Sequence, residues 1–417
     1  MPKIPDAGAL DSAVRKAVAE ATVTDIHTHL FPPSHGDLLL WGVDELLTYH
    51  YLVAELFTVA PRDLPPAKFW KLSKREQADA VWEHVFLRHG ALSEAARGVV
   101  TTLSRLGLDP GERDLAAVRK WFADQKVETY LEKVFELAGI DYAVMTNDPF
   151  KAEEVAHWDA NKPGLPTLKA ALRIDTMIMD WPVAVGTLQR SGYDACGEPT
   201  EKCFQQARKF LAEWAKRMQP VYLAASLPPE FAFPEGGRPA RVMEKVVLPA
   251  ARELGLPVAL MVGARKQVNP ALADGGDSVG VADVQAVANL CAAAPDVKFV
   301  VTMLSRVNQH ELCVTARKFG NLHLFGCWWF CNDPSIIREI TLMRLELLGA
   351  TFTANHSDAR VLDQLIYKWP HTRAVVADCL AEKYRLLFEA GWRPTDDEVK
   401  RAARALFGGA FEEFLAK

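Results

Sequence analysis

The stretch TVTDIHTH, residues 22–29, sets a β-branched and apolar run in front of two histidines one residue apart. A run of this kind reads as a strand, and in a strand residues i and i+2 point the same way. His27 and His29 therefore leave its C-terminal end side by side. Whether they are metal ligands or two polar residues closing an ordinary strand depends on what the rest of the chain builds around them.

Seven further runs of the same character follow from residue 140 onward. They are DYAVMTND (141–148), LKAALRID (168–175), PVYLAASL (220–227), LPVALMVG (256–263), VKFVVTML (297–304), NLHLFGCWW (321–329) and ATFTANHSD (350–358). Nearly all are continuously apolar rather than alternating, as strands buried on both faces of a parallel sheet must be. Longer helical stretches separate them. Eight strand–helix repeats predict an α/β fold, the (β/α)8 TIM barrel. A doubly wound open sheet is the alternative, but polar residues at most of the C-terminal strand ends favour the barrel.

Residues 30–139 hold no convincing strand. SKREQADAVWEHVFLRHG (73–90) and LAAVRKWFADQKVETYLEKVFELAG (115–139) are charged and amphipathic, and predict helices inserted after the first strand. An insertion there stands at the catalytic face of a barrel and commonly forms a lid or side wall. The chain thus divides into an N-terminal helix and first strand (1–29), a helical insertion (30–139), and the rest of the barrel with extra C-terminal helices (140–417). Thr395 and Glu398 resemble a capping box opening one of those helices.

Bulk composition excludes several classes of function. With 53 acidic and 48 basic residues the formal charge is −5, so no net field draws the protein to nucleic acid or anionic lipid. An anionic substrate would need local arginines instead. The N-terminal segment carries acids and lysines where a signal peptide needs an unbroken apolar core. No run reaches the eighteen apolar residues of a membrane span. Seven cysteines, an odd number without framework spacing, suit a reducing cytoplasm. Homo-oligomerisation is left open.

Asp358 ends the eighth run and comes beside the first strand once a barrel closes. With His27 and His29 it would make a mononuclear site with open positions, suited to one divalent ion, zinc first, with manganese, iron or cobalt as the other fits. Read alone, Asp358 is better taken as the N-cap of the following helix; barrel closure is what favours the ligand role. This His-x-His and eighth-strand Asp pattern resembles the amidohydrolase superfamily. The strand ends AASLPP, LMVGAR and TMLSRV supply none of that superfamily's further ligands, which argues against a two-metal hydrolase. Cationic and aromatic residues stand at the strand ends instead. Arg173 ends the third run, Arg306 follows the sixth, Arg360 lies two residues past Asp358, and Trp328 and Trp329 end the seventh. One arginine at a barrel mouth is usually a surface salt bridge; three suggest fork-like hydrogen bonding to a carboxylate.

Several separate motifs resemble the uronate isomerase (glucuronate isomerase) family. DIHTHL is similar to its first-strand motif, YHYLVAEL (49–56) to its Asp-His-Tyr segment, and TNDP (146–149) to its Thr-Asp-Asp-Pro. LRID, VGARKQVNPALADGGDSVG (262–280), GCWWFCND (326–333) and SDAR (357–360) resemble four more, so the likeness covers nearly the whole chain. The resemblance implies a uronic acid substrate and metal-dependent aldose–ketose isomerisation of hexuronates through an enediolate. D-glucuronate would give D-fructuronate, and D-galacturonate D-tagaturonate. It implies metal ligation by His27, His29 and Asp358, catalytic roles for His50, Tyr51, Asp358 and Arg360, and substrate contacts from Arg173, Arg306, Arg360 and Trp329. Tyr51, if its hydroxyl is acidified, and Asp358 are the candidates for the C2 base, and His50 would shuttle a proton between hydroxyls. Three positions depart from the family pattern: Tyr49 stands for Asp, Asn147 for a second acid, and Met261 for His.

Rival readings start from the same residues. A mononuclear hydrolase or decarboxylase of the superfamily, acting on a carboxylated substrate, needs no C2 base. A non-catalytic sugar-acid-binding barrel would leave metal ligands surplus. The pair Cys327 and Cys331 could suggest a metal or redox site, but a cysteine on a buried strand is more often a small apolar filler.

Overall fold

Continuous apolar runs need protein on both sides, and the computed structural model gives it to them. It describes residues 3–160, 164–235 and 237–417. Seven strands pair in sequence order: β1 (Val23–Thr28), β2 (Ile140–Asn147), β3 (Leu168–Arg173), β4 (Leu223–Leu227), β5 (Val258–Val262), β6 (Phe299–Met303) and β7 (Leu322–Leu324). Every neighbouring pair is parallel. β1, β5 and β6 are buried along their whole length; β5 and β6 are unbroken apolar or β-branched, while β1 also buries Asp25 and His27.

The eighth run corrects the sequence expectation of a regular strand. It pairs with the chain after β7 through a single bridge, Phe325 to Thr353. Thr353 N donates to Leu324 O, and Gly326 N donates to Thr353 O. Beyond that point the backbone turns to other acceptors: Ala354 N to Leu406 O, Ser357 N to the Asp25 carboxylate, and Asp358 N to His27 O at 3.1 Å. The curled sheet therefore closes on β1, but through a segment whose ladder is shared with side chains and with the C-terminal region. An outer cluster of buried apolar residues joins strands to helices. A second, inner cluster includes Ile26, Val144, Ala171, Ala259 and Val300, together with Phe411 and Phe414 from the last helix, Ala410–Ala416. Lys298, just before β6, donates to Leu415 O, which places that helix across the N-terminal end of the barrel.

Between β1 and β2, residues 30–139 carry helices that include His50–Val59, Lys74–Val81, Glu94–Arg105 and Val127–Ala138, with no strand among the described residues. Ser93 caps Glu94–Arg105, and Ser73 with Glu76 forms a capping box on Lys74–Val81. The Thr395–Glu398 capping box is present on Asp396–Arg404. Gln364–Glu389, the longest helix, packs on Glu94–Arg105 and Val127–Ala138 and carries Pro370 inside. Among the described residues no helix is long and apolar enough to cross a membrane. Cys196 and Cys203 form a disulfide, which the lack of framework spacing among the seven cysteines does not predict. The loop before the helix Glu201–Met218 folds back on its first turn and brings the two Cα atoms to 6.0 Å. The other five cysteines are free and buried.

Candidate active site

Register irregularities between Asp25 and Thr28 interrupt the pairing of β1 with β2. Bulges of this kind re-aim side chains at a barrel rim. Here the His27 and His29 rings meet edge to face at 5.1 Å. Asp358 completes the cluster from the other side of the closure. Its Oδ1 lies 3.6 Å from His27 Nε2 and 3.3 Å from His29 Nε2. The three donor atoms lie within 4.8 Å of one another, and among the described residues no other such group of His, Cys, Asp and Glu forms. Asp358 reaches this position with a backbone φ of 51°, a left-handed conformation a non-glycine residue seldom adopts.

These residues fit a divalent cation. His27 Nε2 and Asp358 Oδ1 are buried with no hydrogen-bond partner among the described residues, and orphaned polar atoms of that kind are costly unless something satisfies them. Burial first, then the charge of His29, Arg173 and Arg360, lowers His27 to about 3 against the pull of Asp358. Burial and the cations Arg360 and Arg173 likewise push His29 well below the usual imidazole range. Both rings are therefore neutral near pH 7 and offer lone pairs. The tautomer of His29 follows from its neighbour. The Thr146 hydroxyl lies 3.1 Å from Thr28 O and 2.9 Å from His29 Nδ1. Donating to the carbonyl leaves that hydroxyl free to accept from Nδ1–H, which frees Nε2 for a ligand.

A cavity of about 410 Å3 opens over this trio, lined also by Tyr49, His50, Arg173, Trp329, Arg360 and Lys266. Arg173 makes a two-pronged pair with Asp175 (Nε–Oδ2 3.0 Å, Nη2–Oδ1 3.1 Å), and Asp175 is itself fixed by Ser226 N. Burial works against the Arg173 charge, but Asp175, with Asp148 and Glu154, outweighs it and holds the guanidinium protonated. Arg360 reaches Asp274 at 2.9 Å from its place beside Asp358.

Arg306 is a correction. It sits on the short 3-10 turn after β6, and its side chain is 62% exposed and paired with Glu339 at 2.8 Å. It does not line the cavity. The third cation there is Lys266, paired with Asp277 at 2.6 Å and 5.4 Å from the Trp329 ring. In the sequence, the only signal for Lys266 is its place just past β5. The only signal for Asp175 is that it stands two residues from Arg173.

His50 and Tyr51 open the helix His50–Val59 and face different spaces. His50 lines the cavity over the trio, and burial together with Arg360 lowers its imidazole well below the usual range. Tyr51 lines a neighbouring cavity of about 590 Å3 that shares His50 and Trp329 with the first. Burial, then Tyr49 and Asp358, raise its hydroxyl well above the usual tyrosine range. Of the family departures, Tyr49 packs at a tilt against His50, with ring centroids 4.1 Å apart, and lines the first cavity, Asn147 is buried at the end of β2, and Met261 belongs to the inner apolar cluster. Cys327 and Cys331 are buried, their thiols directed to Ala354 O and Leu304 O, as apolar fillers would be. Burial raises their pKa values to about 11 and about 12.

The whole chain superposes on the crystal structure of a uronate isomerase from Bacillus halodurans C-125. The TM-score is 0.97 and the identity 47%, over 99% of this chain and 98% of that one. The chain belongs to the uronate isomerase family. A uronate isomerase from Thermotoga maritima (TM-score 0.77, 15% identity, 97% of each chain) shares the fold. So does a glucuronate isomerase from Caulobacter crescentus (TM-score 0.76, 16% identity, 100% of this chain and 95% of that one). Comparisons with protein families and with curated proteins returned no match.

Proposed function

We propose that this protein is a uronate isomerase interconverting the aldose and ketose forms of a hexuronate: D-glucuronate with D-fructuronate, D-galacturonate with D-tagaturonate, or both. The observation that carries this reading is the buried His27–His29–Asp358 trio in a cavity ringed by Arg173 and Arg360, in a chain 47% identical to a uronate isomerase. His27 Nε2, His29 Nε2 and Asp358 Oδ1 would hold one divalent ion, with zinc the first fit to two imidazoles and a carboxylate. When bound it supplies Lewis acidity at the substrate's carbonyl and neighbouring hydroxyl oxygens.

The protein's own groups do the rest. Arg173 and Arg360, each set by its acidic partner, present guanidiniums to the substrate carboxylate. Trp329 walls the sugar. Neutral His50 passes a proton between adjacent hydroxyl oxygens. Isomerisation also needs the C2 proton moved to C1 through an enediolate. Asp358 faces the cavity and serves as that base, while Tyr51, held as a neutral phenol by its burial, acts as a hydrogen-bond donor behind His50.

Incubating the metal-loaded protein separately with D-glucuronate and D-galacturonate should give a ketose product from at least one, and none from D-glucose. The carboxylate's partners explain the gap. An unmade hydrogen bond to a charged group costs roughly 1.5–3 kcal/mol, and roughly 1.4 kcal/mol is tenfold in rate. Two such losses predict a preference of at least about a hundredfold in kcat/KM. Equal turnover of glucose and a hexuronate would contradict the assignment of the arginines.

A further inference from the structure

The helix Gln364–Glu389 buries a lysine against the floor of the site. Lys368 is 4% exposed, and among the described residues no carboxylate pairs with its ammonium. Burying an unpaired ammonium is expensive, and burial indeed lowers its pKa against the pull of Asp358, Asp25 and Asp333. Its Nζ donates to the carbonyl oxygen of Ser357, the residue before Asp358. The same ammonium lies 5.7 Å from the centre of the Tyr51 ring.

Ser357 and its neighbours are gripped on every side. Ser357 N donates to Asp25 Oδ1 at 3.0 Å, Ala359 N to Ser357 Oγ at 3.2 Å, and Asp358 N to His27 O at 3.1 Å. A left-handed aspartate persists only where its surroundings over-determine it. Releasing Ser357 O would let the peptide before Asp358 rotate and carry the carboxylate off His27 and His29.

We propose that Lys368 is a positioning residue, which clamps the backbone of Asp358 through Ser357 and seats the Tyr51 ring at the same time. The turnover part of this inference rests on the isomerase reading; the metal-binding part does not. Lys368→Met shortens the unbranched side chain by one atom and removes both charge and donor. Replacing a buried ion by an apolar group of similar volume is often neutral for stability, so the metal-free melting temperature should hold.

Zinc affinity, measured by competition with a chromophoric chelator, should fall by about tenfold or more, the range for groups that orient ligands. With hexuronate, kcat should fall while KM changes little. Lys368→Arg, which keeps a cation and donors, should bind zinc more tightly than Lys368→Met. If Lys368→Met does not fold, Lys368→Gln is read by the same criteria. Wild-type zinc affinity in the folded variant, or Lys368→Arg binding no better than Lys368→Met, would overturn the proposal. An absence of turnover in the wild type would strike the isomerase reading and leave the zinc comparison intact.

Discussion

Arg173 and Arg306 look alike in the sequence, each standing at or just past the end of an apolar run. Their side chains go opposite ways because Arg173 ends a strand beside Asp175, whereas Arg306 starts a 3-10 turn that aims it at Glu339. No spacing rule distinguishes the two. Arg306→Ala should therefore leave kcat/KM for a hexuronate unchanged, while Arg173→Lys, which loses the planar fork, should lower it by about tenfold or more. The reverse ranking in steady-state kinetics would move the carboxylate elsewhere. The histidines were easier to read, since two imidazoles at i and i+2 share a strand face whatever the fold. Their burial adds a pH prediction. His27 is lowered from 6.5 to about 3 in the fold, so the unfolded chain takes up its proton first. The stability His27 contributes is present above pH 6.5 and is lost as pH falls from there toward 3, at about 1.4 kcal/mol per unit. His29, His50 and His356, lowered in the same way, steepen the loss. Chemical denaturation of the metal-free protein at pH 7 and pH 5 should show it, with a shallower slope in His27→Gln. A flat profile would mean that these rings are not buried as described.

Strands β1 to β7 were legible because parallel strands buried on both faces leave continuous apolar runs. The eighth was legible as a run but not as an irregular one. Its backbone departs from a ladder because Asn355, His356 and Asp358 turn inward and because the C-terminal chain takes Ala354 N. The helix beginning at His50 hid a different fact. Neighbouring helix positions point about 100° apart, so His50 and Tyr51 cannot both face the trio squarely. Gly326 shows how closely the closing elements meet. A Cβ there would lie 1.7 Å from His356 Nδ1, and the backbone φ is +66°. The His356 ring in turn packs edge-on against His27 at 5.5 Å. Gly326→Ala should destabilise the protein by at least about 2 kcal/mol, combining left-handed strain with overpacking, and should weaken metal binding. Gly255→Ala is the control, with φ +65° and no atom within 4 Å of the added Cβ; it should cost about 1 kcal/mol. Equal losses in the two variants would show that the His356 contact does not matter.

At the scale of the whole molecule, function depends on closure. His27 and Asp358 are more than three hundred residues apart, and only the return of the chain to β1 brings them into one site. The eight-fold repeat made that closure readable, and the same repeat placed the runs that carry His27, His29 and Asp358 at one end of the barrel. The helices of residues 30–139 were readable as helices, but which of their residues reach the mouth was not, because that depends on how His50–Val59 packs over the rim. The pairing of Cys196 with Cys203 was also hidden, since it depends on a loop folding back on a helix start. The central claim is that this site moves a proton between adjacent carbons of a hexuronate. Its most direct test is proton NMR of D-glucuronate and D-galacturonate with metal-loaded protein in deuterated buffer. The expected result is loss of the C2 proton signal from at least one substrate alongside ketose formation, and neither in Asp358→Asn. Ketose formation that persists in Asp358→Asn, or no exchange and no ketose from either hexuronate, would contradict it.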